Sequence, residues 1–236
     1  MGDKTGIGWT DSTWNPATGC TKVSPGCKNC YAEHIMLKHK ANFTYREHEN
    51  RIDQPIKWKK PRRIFVNSMS DLFHESATTD FLSRVYQTMM TANQHIYQIL
   101  TKRPHRMAEF AASIQTIPKH IWMGVSVESP YQLDRIDTLR TVNCTTRFVS
   151  FEPLIEQIGY VNLDNIDWCI IGGESGPHFR PMKYKWARHL IDICRDEKVP
   201  VFFKQWGGRY PGGDNRIDGV KYEEYPKPDY IQETLV

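Results

Sequence analysis

Six short apolar runs, each closing on polar or charged residues, constrain the fold of this chain more than any other feature. They are Arg63–Asn67, Tyr97–Thr101, Ile121–Val127, Arg147–Ser150, Asp167–Gly172 and Val201–Lys204. β-Branched and aromatic residues fill them with little polar alternation, the pattern of strands buried on both faces of a parallel sheet. Helical spacing runs between them. Thr79–Ala92 carries Phe81, Leu82, Val85, Tyr86, Met89 and Met90 at helical intervals, with Thr79 or Asp80 placed to cap it. Pro104–Ile114 opens on a first-turn proline, and Pro130–Leu139 and Lys183–Asp196 continue the series. A further helix is expected over Asn29–Lys38. This βα alternation specifies an α/β fold with a parallel sheet, either doubly wound or closed toward a barrel.

The runs end in Asn67-Ser68 followed by Asp71, in Thr101-Lys102-Arg103, in Ser126 and Glu128, in Ser150 and Glu152, in Gly172-Gly173-Glu174-Ser175, and in Lys204-Gln205. Ligands of parallel α/β folds sit at the C-terminal edge of the sheet. One shared site is therefore expected there. The chain has 236 residues, enough to bury the core of one domain or two small ones. No apolar run reaches the roughly 20 residues of a membrane span, and the first residues lack the apolar stretch of a secretory signal. The sequence reads as a soluble, cytoplasmic protein with no membrane partner. Lys plus Arg number 31 against 27 Asp plus Glu, a balance that permits a nucleic-acid partner without requiring one.

Three of the six cysteines crowd into Cys20, Cys27 and Cys30, spaced C-x6-C-x2-C, while Cys144, Cys169 and Cys194 stand in apolar surroundings as small hydrophobes. A C-x2-C pair at a loop-to-helix junction lets two thiolates converge on a metal centre, and Gly19, Pro25 and Gly26 supply the bends that bring the first thiol round. Two centres suit three such thiols: a zinc ion with His34 as fourth ligand, or a 4Fe–4S cluster with one iron left open. At the strand ends, Glu128 and Glu152 can each accept from two adjacent hydroxyls, or else form ion pairs with Lys102, Arg103 or Lys204. The glycine-rich exit around Gly172-Gly173-Glu174 lacks a phosphate-loop lysine, which excludes a nucleoside-triphosphate site. The run Lys57–Arg63 combines five cations with Trp58 and could neutralise phosphates while the indole stacks on a base, but its place before a strand, away from the expected site, favours a solvated entry. Trp9, Trp14, Trp122 and Trp168 are expected in the core, and Trp206 is a candidate wall of the site.

The segments TWNPATGCTKVSPGCKNCYAE, KPRRIFVNSMSDLF, LTKRP, GVSVE, FEPL, IGGESG and FFKQWG together resemble a phage-associated, radical-SAM-like three-cysteine family over about residues 8–207. The resemblance implies a partial (βα) barrel of the TIM-like type over residues 1–206, opening on a cluster-binding loop, with a loop-rich extension over 207–236. It implies a 4Fe–4S cluster on Cys20, Cys27 and Cys30 that binds S-adenosylmethionine (SAM) at its open iron. Electrons from an external donor would cleave SAM to a 5′-deoxyadenosyl radical that abstracts a substrate hydrogen. Tyr31, Asn67, Ser68, Asp71, Ser126 and Glu128 are then candidates to hold SAM. Lys102, Glu152, Glu174, Arg180 and Lys204 are candidates for the substrate. Two features depart from the superfamily's commonest pattern: its first gap is C-x3-C, and an aromatic precedes its last cysteine, where this chain has Asn29 with Tyr31 following. The phage association implies a nucleobase in viral DNA, such as an amino-acid-modified thymidine, isomerised in the host cytoplasm. The alternative is a zinc-bearing nucleic-acid-binding protein without catalysis, and a third reading keeps the cluster but not the SAM chemistry.

Overall fold

A computed structural model describes residues 5–114, 116–210 and 212–226. β1 (Ser12–Trp14) and β2 (Ala17–Thr18) lead into the cysteine loop, which ends in α1 (Tyr31–Lys38). β3 (Arg46–Glu47) pairs back on β2, and α2 (Glu49–Ile52) precedes β4 (Arg63–Val66). The alternation continues through α3 (Thr79–Thr91), β5 (Ile96–Thr101), α4 (Pro104–Ser113), β6 (Ile121–Ser126), α5 (Asp134–Arg140), β7 (Arg147–Phe151), β8 (Trp168–Gly172), α6 (Tyr184–Asp196) and β9 (Val201–Gln205). A small hairpin of β10 (Arg216–Ile217) and β11 (Val220–Lys221) follows.

Seven strands form one sheet in the order β1-β4-β5-β6-β7-β8-β9, and every neighbouring pair is parallel. Because strand order follows chain order, each right-handed crossover returns on the same side, so the helices cover one face only. The sheet curls about its other face into a partial (βα) barrel. The β7–β8 connection has no helix and covers the outer face instead with Leu154, Ile158, Val161, Leu163 and Ile166.

Side-chain alternation along each strand divides the core in two. On the helix side, Ile64, Val66, Tyr97, Ile99, Met123, Val125, Val149, Cys169, Ile171 and Phe203 belong to the main core. On the concave side, Phe65, Trp122, Phe148, Trp168, Ile170 and Phe202 gather with Trp9 into a second cluster at the N-terminal halves of the strands. Trp168 is its hub, with ring centroids 5.8 Å from Trp122, 5.6 Å from Phe148 and 6.1 Å from Trp9. Two or four residues further along the same face, Ser126, Ser150, Glu152 and Lys204 replace the rings. The barrel thus has an aromatic floor and a polar mouth. All four tryptophans expected in the core are there.

Residues 216–225 return along β9, where Phe202 and Glu223 form an antiparallel bridge. Ile217 and Tyr222 join the main core, Phe203 N–H donates to the Tyr222 carbonyl at 2.8 Å, and Trp168 Nε1 donates to the Glu224 carbonyl at 2.8 Å. The six strand candidates all form strands of this sheet, their ends shifted by a residue. β1 was not foreseen, since three residues carry no readable period. The cap of α3 is Thr78, whose hydroxyl accepts from Phe81 N–H at 3.1 Å, not Thr79 or Asp80. The Pro130–Leu139 helix splits into a 3-10 turn over Pro130–Gln132 and then α5, which turns Arg135 inward. Among the described residues, no helix is long and apolar enough to cross a membrane.

Candidate active site

The cysteine loop crosses the C-terminal edge of the sheet, the edge where all the polar strand ends collect. Gly19 leaves β2 with φ +80°, a region open to glycine, and a side chain there would strike the Thr44 carbonyl. Its N–H donates to the Met69 carbonyl at 2.9 Å, tying the loop's start to the end of β4. Pro25–Cys27 forms one 3-10 turn. Gly26 lies so close to Glu128 that any Cβ would occupy the space of that carboxylate. Cys30 is the N-cap of α1, and the N–H groups of Ala32 and Glu33 face its sulfur.

All three thiols are half-buried and free of disulfides. Burial, reinforced by Asp71 and opposed by Arg103, pushes the Cys20 thiol up to about 11. Burial also raises Cys30, against the N–H groups of α1. Such thiols stay protonated until a metal displaces the proton. Cys144, Cys169 and Cys194 are buried on the helix side and supply no fourth thiol.

The two metal centres require different arrangements of donors. A tetrahedral zinc site closes four ligands at about 2.0–2.3 Å around one point. Among the described residues no three His, Cys, Asp or Glu side chains are grouped to hold one ion, and His34 lies exposed on α1. A multi-iron cluster takes each thiolate on a separate iron, so its ligands stand further apart on separate anchors. Three half-buried thiols on a loop that bends round a cradle, with no fourth cysteine, fit that group.

Three carboxylate–arginine pairs at successive strand ends grip the loop. After β4 and β5, Asp71 pairs with Arg103 at 3.1 Å, and Arg103 reaches Cys20 and Thr21. After β6, Glu128 is fully buried, pairs with Arg135 at 3.0 Å and Lys102 at 3.4 Å, and accepts from the Ser24 hydroxyl at 2.5 Å. After β8, Glu174 accepts from Asn29 Nδ2 at 2.9 Å and from the Arg180 N–H at 2.8 Å, while Arg180 Nη2 donates to the Pro25 carbonyl at 3.1 Å. Against a burial that raises it, Arg180 and Asn29 hold the Glu174 carboxyl below its ordinary range.

A fourth pair leaves the loop alone. Glu152, after β7, meets Lys204 Nζ on β9 at 3.1 Å and accepts from Ser150 Oγ at 3.1 Å, on the concave face. Tyr31 is exposed as a whole, but its hydroxyl donates to the Ser68 carbonyl at 2.7 Å, and desolvation at that end raises its phenol, aided by Cys30 and Glu152. Ser68 Oγ is bonded to Asn15. Ser126 is buried, its carbonyl accepting from Arg135 at 2.7 Å. Asn67 is buried with neither side-chain atom bonded to any described residue.

The structure thus brings every candidate site residue to one edge but divides their tasks. The ion pairs weighed for Glu128 and Glu152 both exist. Ser24 and Asn29 went unnoticed because their partners lie 104 and 145 residues away, and Arg135, only seven residues from Glu128, because the break between the 3-10 turn and α5 that aims it inward leaves no local signal. Two tryptophans weighed for ligand contact lie elsewhere, Trp58 where the position of its cation run before β4 led one to expect and Trp206 against expectation. Trp58 is buried under Arg62, whose guanidinium sits 4.8 Å from its ring, so it cannot stack on a base, and its patch lies at the N-terminal end of β4. Trp206 packs on Phe203 of the helix-side core and stacks on Tyr184, and so walls the outside of the barrel.

The family described as "Protein of unknown function (DUF5131)" matches residues 4–226. The chain belongs to this family. No curated protein matches its sequence. Among solved structures it is similar to "Spore photoproduct lyase complexed with dinucleoside spore photoproduct", at 13% identity and a TM-score of 0.47, covering 79% of this chain. The chain spans 61% of that protein's length.

Proposed function

We propose that this protein is a radical SAM enzyme whose Cys20, Cys27 and Cys30 hold a 4Fe–4S cluster. One observation carries the reading: three free, half-buried thiols lie on a loop after the first strand of a parallel partial barrel, at its ligand edge, with no fourth thiol beside them. Such a group, once reduced by an external donor, supplies from SAM a carbon-centred radical that abstracts a substrate hydrogen. The protein's own residues bind, orient and shield. Asn67 and Ser68 after β4, with Tyr31, line the side nearest the cysteines and suit the amino-acid end of SAM, while Asp71 is taken up by Arg103, Thr101, Lys102 and Phe73. Ser126 lies deeper on the concave face, while Glu128 steadies the loop through Ser24. The aromatic floor closes the far end against water.

Residues 1–206 form the catalytic unit in this reading, and 207–236 are its extension. For the substrate we propose a modified nucleobase in DNA, such as an amino-acid-bearing thymidine, isomerised by hydrogen abstraction. Glu152 and Lys204 support this, since they present one anion and one cation to the cavity without holding the loop. An incoming ammonium and carboxylate can exchange with that pair without leaving a buried charge uncompensated.

The test is anaerobic. Reconstituted protein is mixed with SAM and dithionite and assayed for 5′-deoxyadenosine, with Cys27→Ala as control. Product that disappears in the variant is the expected result. Zinc that copurifies, with no iron–sulfur absorbance under any reconstitution, would overturn the reading in favour of a zinc-bearing binding protein.

A further inference from the structure

Arg103 stands at the N-cap of α4 and is 7% exposed. A guanidinium has five N–H donors and no acceptor. Here each has a partner. Nε donates to Glu75 at 2.8 Å. Nη1 donates to Asp71 at 3.1 Å and to the Cys20 sulfur at 3.5 Å. Nη2 donates to the carbonyl of Thr21 at 3.2 Å and to its hydroxyl at 2.8 Å. Asp71 is occupied in turn, accepting from Thr101 Oγ1 at 2.6 Å, Lys102 N–H at 3.0 Å and Phe73 N–H at 3.0 Å. An arm with no donor to spare does not receive a ligand. It holds what it already touches.

What it touches is the first cysteine of the long gap. Cys27 and Cys30 are fixed by their own turn and by the start of α1, but six residues separate Cys20 from that frame. The separation requires a second anchor, and Arg103 supplies one from the ends of β4 and β5. The same contact has an electronic consequence. Hydrogen bonds and positive charge at a ligand sulfur withdraw electron density and make a cluster easier to reduce.

We propose that Arg103 is a positioning residue for Cys20 and raises the reduction potential of the cluster that Cys20 helps to hold. The second half rests on the iron–sulfur function proposed above, and the first half does not. Lysine is not equivalent, because a single ammonium supplies the charge but cannot span Glu75, Asp71, Cys20 and Thr21 together.

The experiment compares wild type with Arg103→Gln and Arg103→Lys. Hydrogen–deuterium exchange on the metal-free protein reads the amides of Gly19 and Cys20, which donate to Met69 and Phe43. Arg103→Gln is expected to speed exchange in the segment 19–22 by about tenfold or more while leaving 27–33 unchanged. In reconstituted protein, a redox titration followed by electron paramagnetic resonance should place the midpoint of Arg103→Gln below that of wild type. Arg103→Lys should recover most of the potential and little of the protection. Unchanged exchange in 19–22 would overturn the positioning role, and an unchanged midpoint in Arg103→Gln would overturn the tuning role. Should that variant not fold, Thr21→Val removes one acceptor at the surface and must show the same local loosening for the proposal to stand. A wild type that never assembles a cluster would remove the function and the tuning role together, while the exchange result still decides the positioning role.

Discussion

The two ends of the seven parallel strands carry opposite chemistry. At the N-terminal halves, the concave face is an aromatic floor whose rings meet at 4.7 Å between Trp9 and Phe65 and at 5.6 Å between Trp168 and Phe148. At the C-terminal ends, the same face carries Asp71, Glu128, Glu152 and Glu174, each paired with a cation. Burying rings stabilises the fold roughly in proportion to the area removed from water. Burying ion pairs contributes little net stability, because desolvation offsets their attraction. The floor therefore stabilises the barrel, and the mouth trades stability for the placement of one loop.

That contrast can be broken from either end. The largest effect is expected from Trp168→Ala, which should cost about 4 kcal/mol of stability, read from a denaturant titration, because it empties the hub of the floor. Cys27→Ala at the mouth should keep the melting temperature near wild type while abolishing iron binding. A Cys27→Ala protein as unstable as Trp168→Ala would collapse the division between the two ends. Next comes Glu128→Ala, at about 3 kcal/mol, since it leaves Arg135 buried and Lys102 half-buried without their carboxylate. Glu128→Gln should cost less yet still release Ser24, seen as faster exchange in the loop. Thr78→Ala is the control outside both regions, expected at about 1 kcal/mol from the lost cap of α3.

The smallest effect is in pH. Hydrogen bonding from Arg103, beside the mouth, holds the Glu75 carboxyl down to about 2. Its contribution is complete above the ordinary carboxylate value of 4.5 and is lost as pH falls toward 2. Burial pushes the Cys144 thiol of the helix-side core up from 9.0 to about 11. There the unfolded chain loses its proton first, so stability falls as pH rises from 9 toward 11. Cys144→Ala should flatten the alkaline limb of a stability–pH curve and leave the acid limb alone. An acid limb that moved in this variant would tie the two regions together.

Legibility followed the same division. The strands were readable because apolar runs such as Ile121–Val127 advertise burial on both faces without reference to any neighbour. The three cysteines and the carboxylates at the strand ends were readable for the same reason, each being marked by its residue type and its place after a run. Their division of labour was not. Glu128 and Glu152 look alike in sequence, each ending a strand and each followed by a proline within two residues. One is locked under Ser24 and Gly26, and the other faces Lys204 across the cavity. Arg103 reads as an ordinary cation before a proline until its five donors are counted against partners from β4, β5 and the loop. For Trp58 the solvated-entry reading of its cation run holds for the cations alone, since the indole itself is buried under Arg62, which a local cluster of cations does not reveal.

The sequence by itself determined the parallel α/β architecture, the edge where the site lies and the residues that could hold a metal there, because hydrophobic period and donor chemistry are local properties. Tertiary structure alone decided that three carboxylates grip the cysteine loop, that a fourth, Glu152, pairs with Lys204 away from it, and that Cys20 has an anchor of its own. Those outcomes depend on contacts such as Ser24 with Glu128 and Asn29 with Glu174, which join the loop to strands more than a hundred residues away. No local pattern encodes such contacts, since they arise only when the sheet has curled and its strand ends have been brought to one edge.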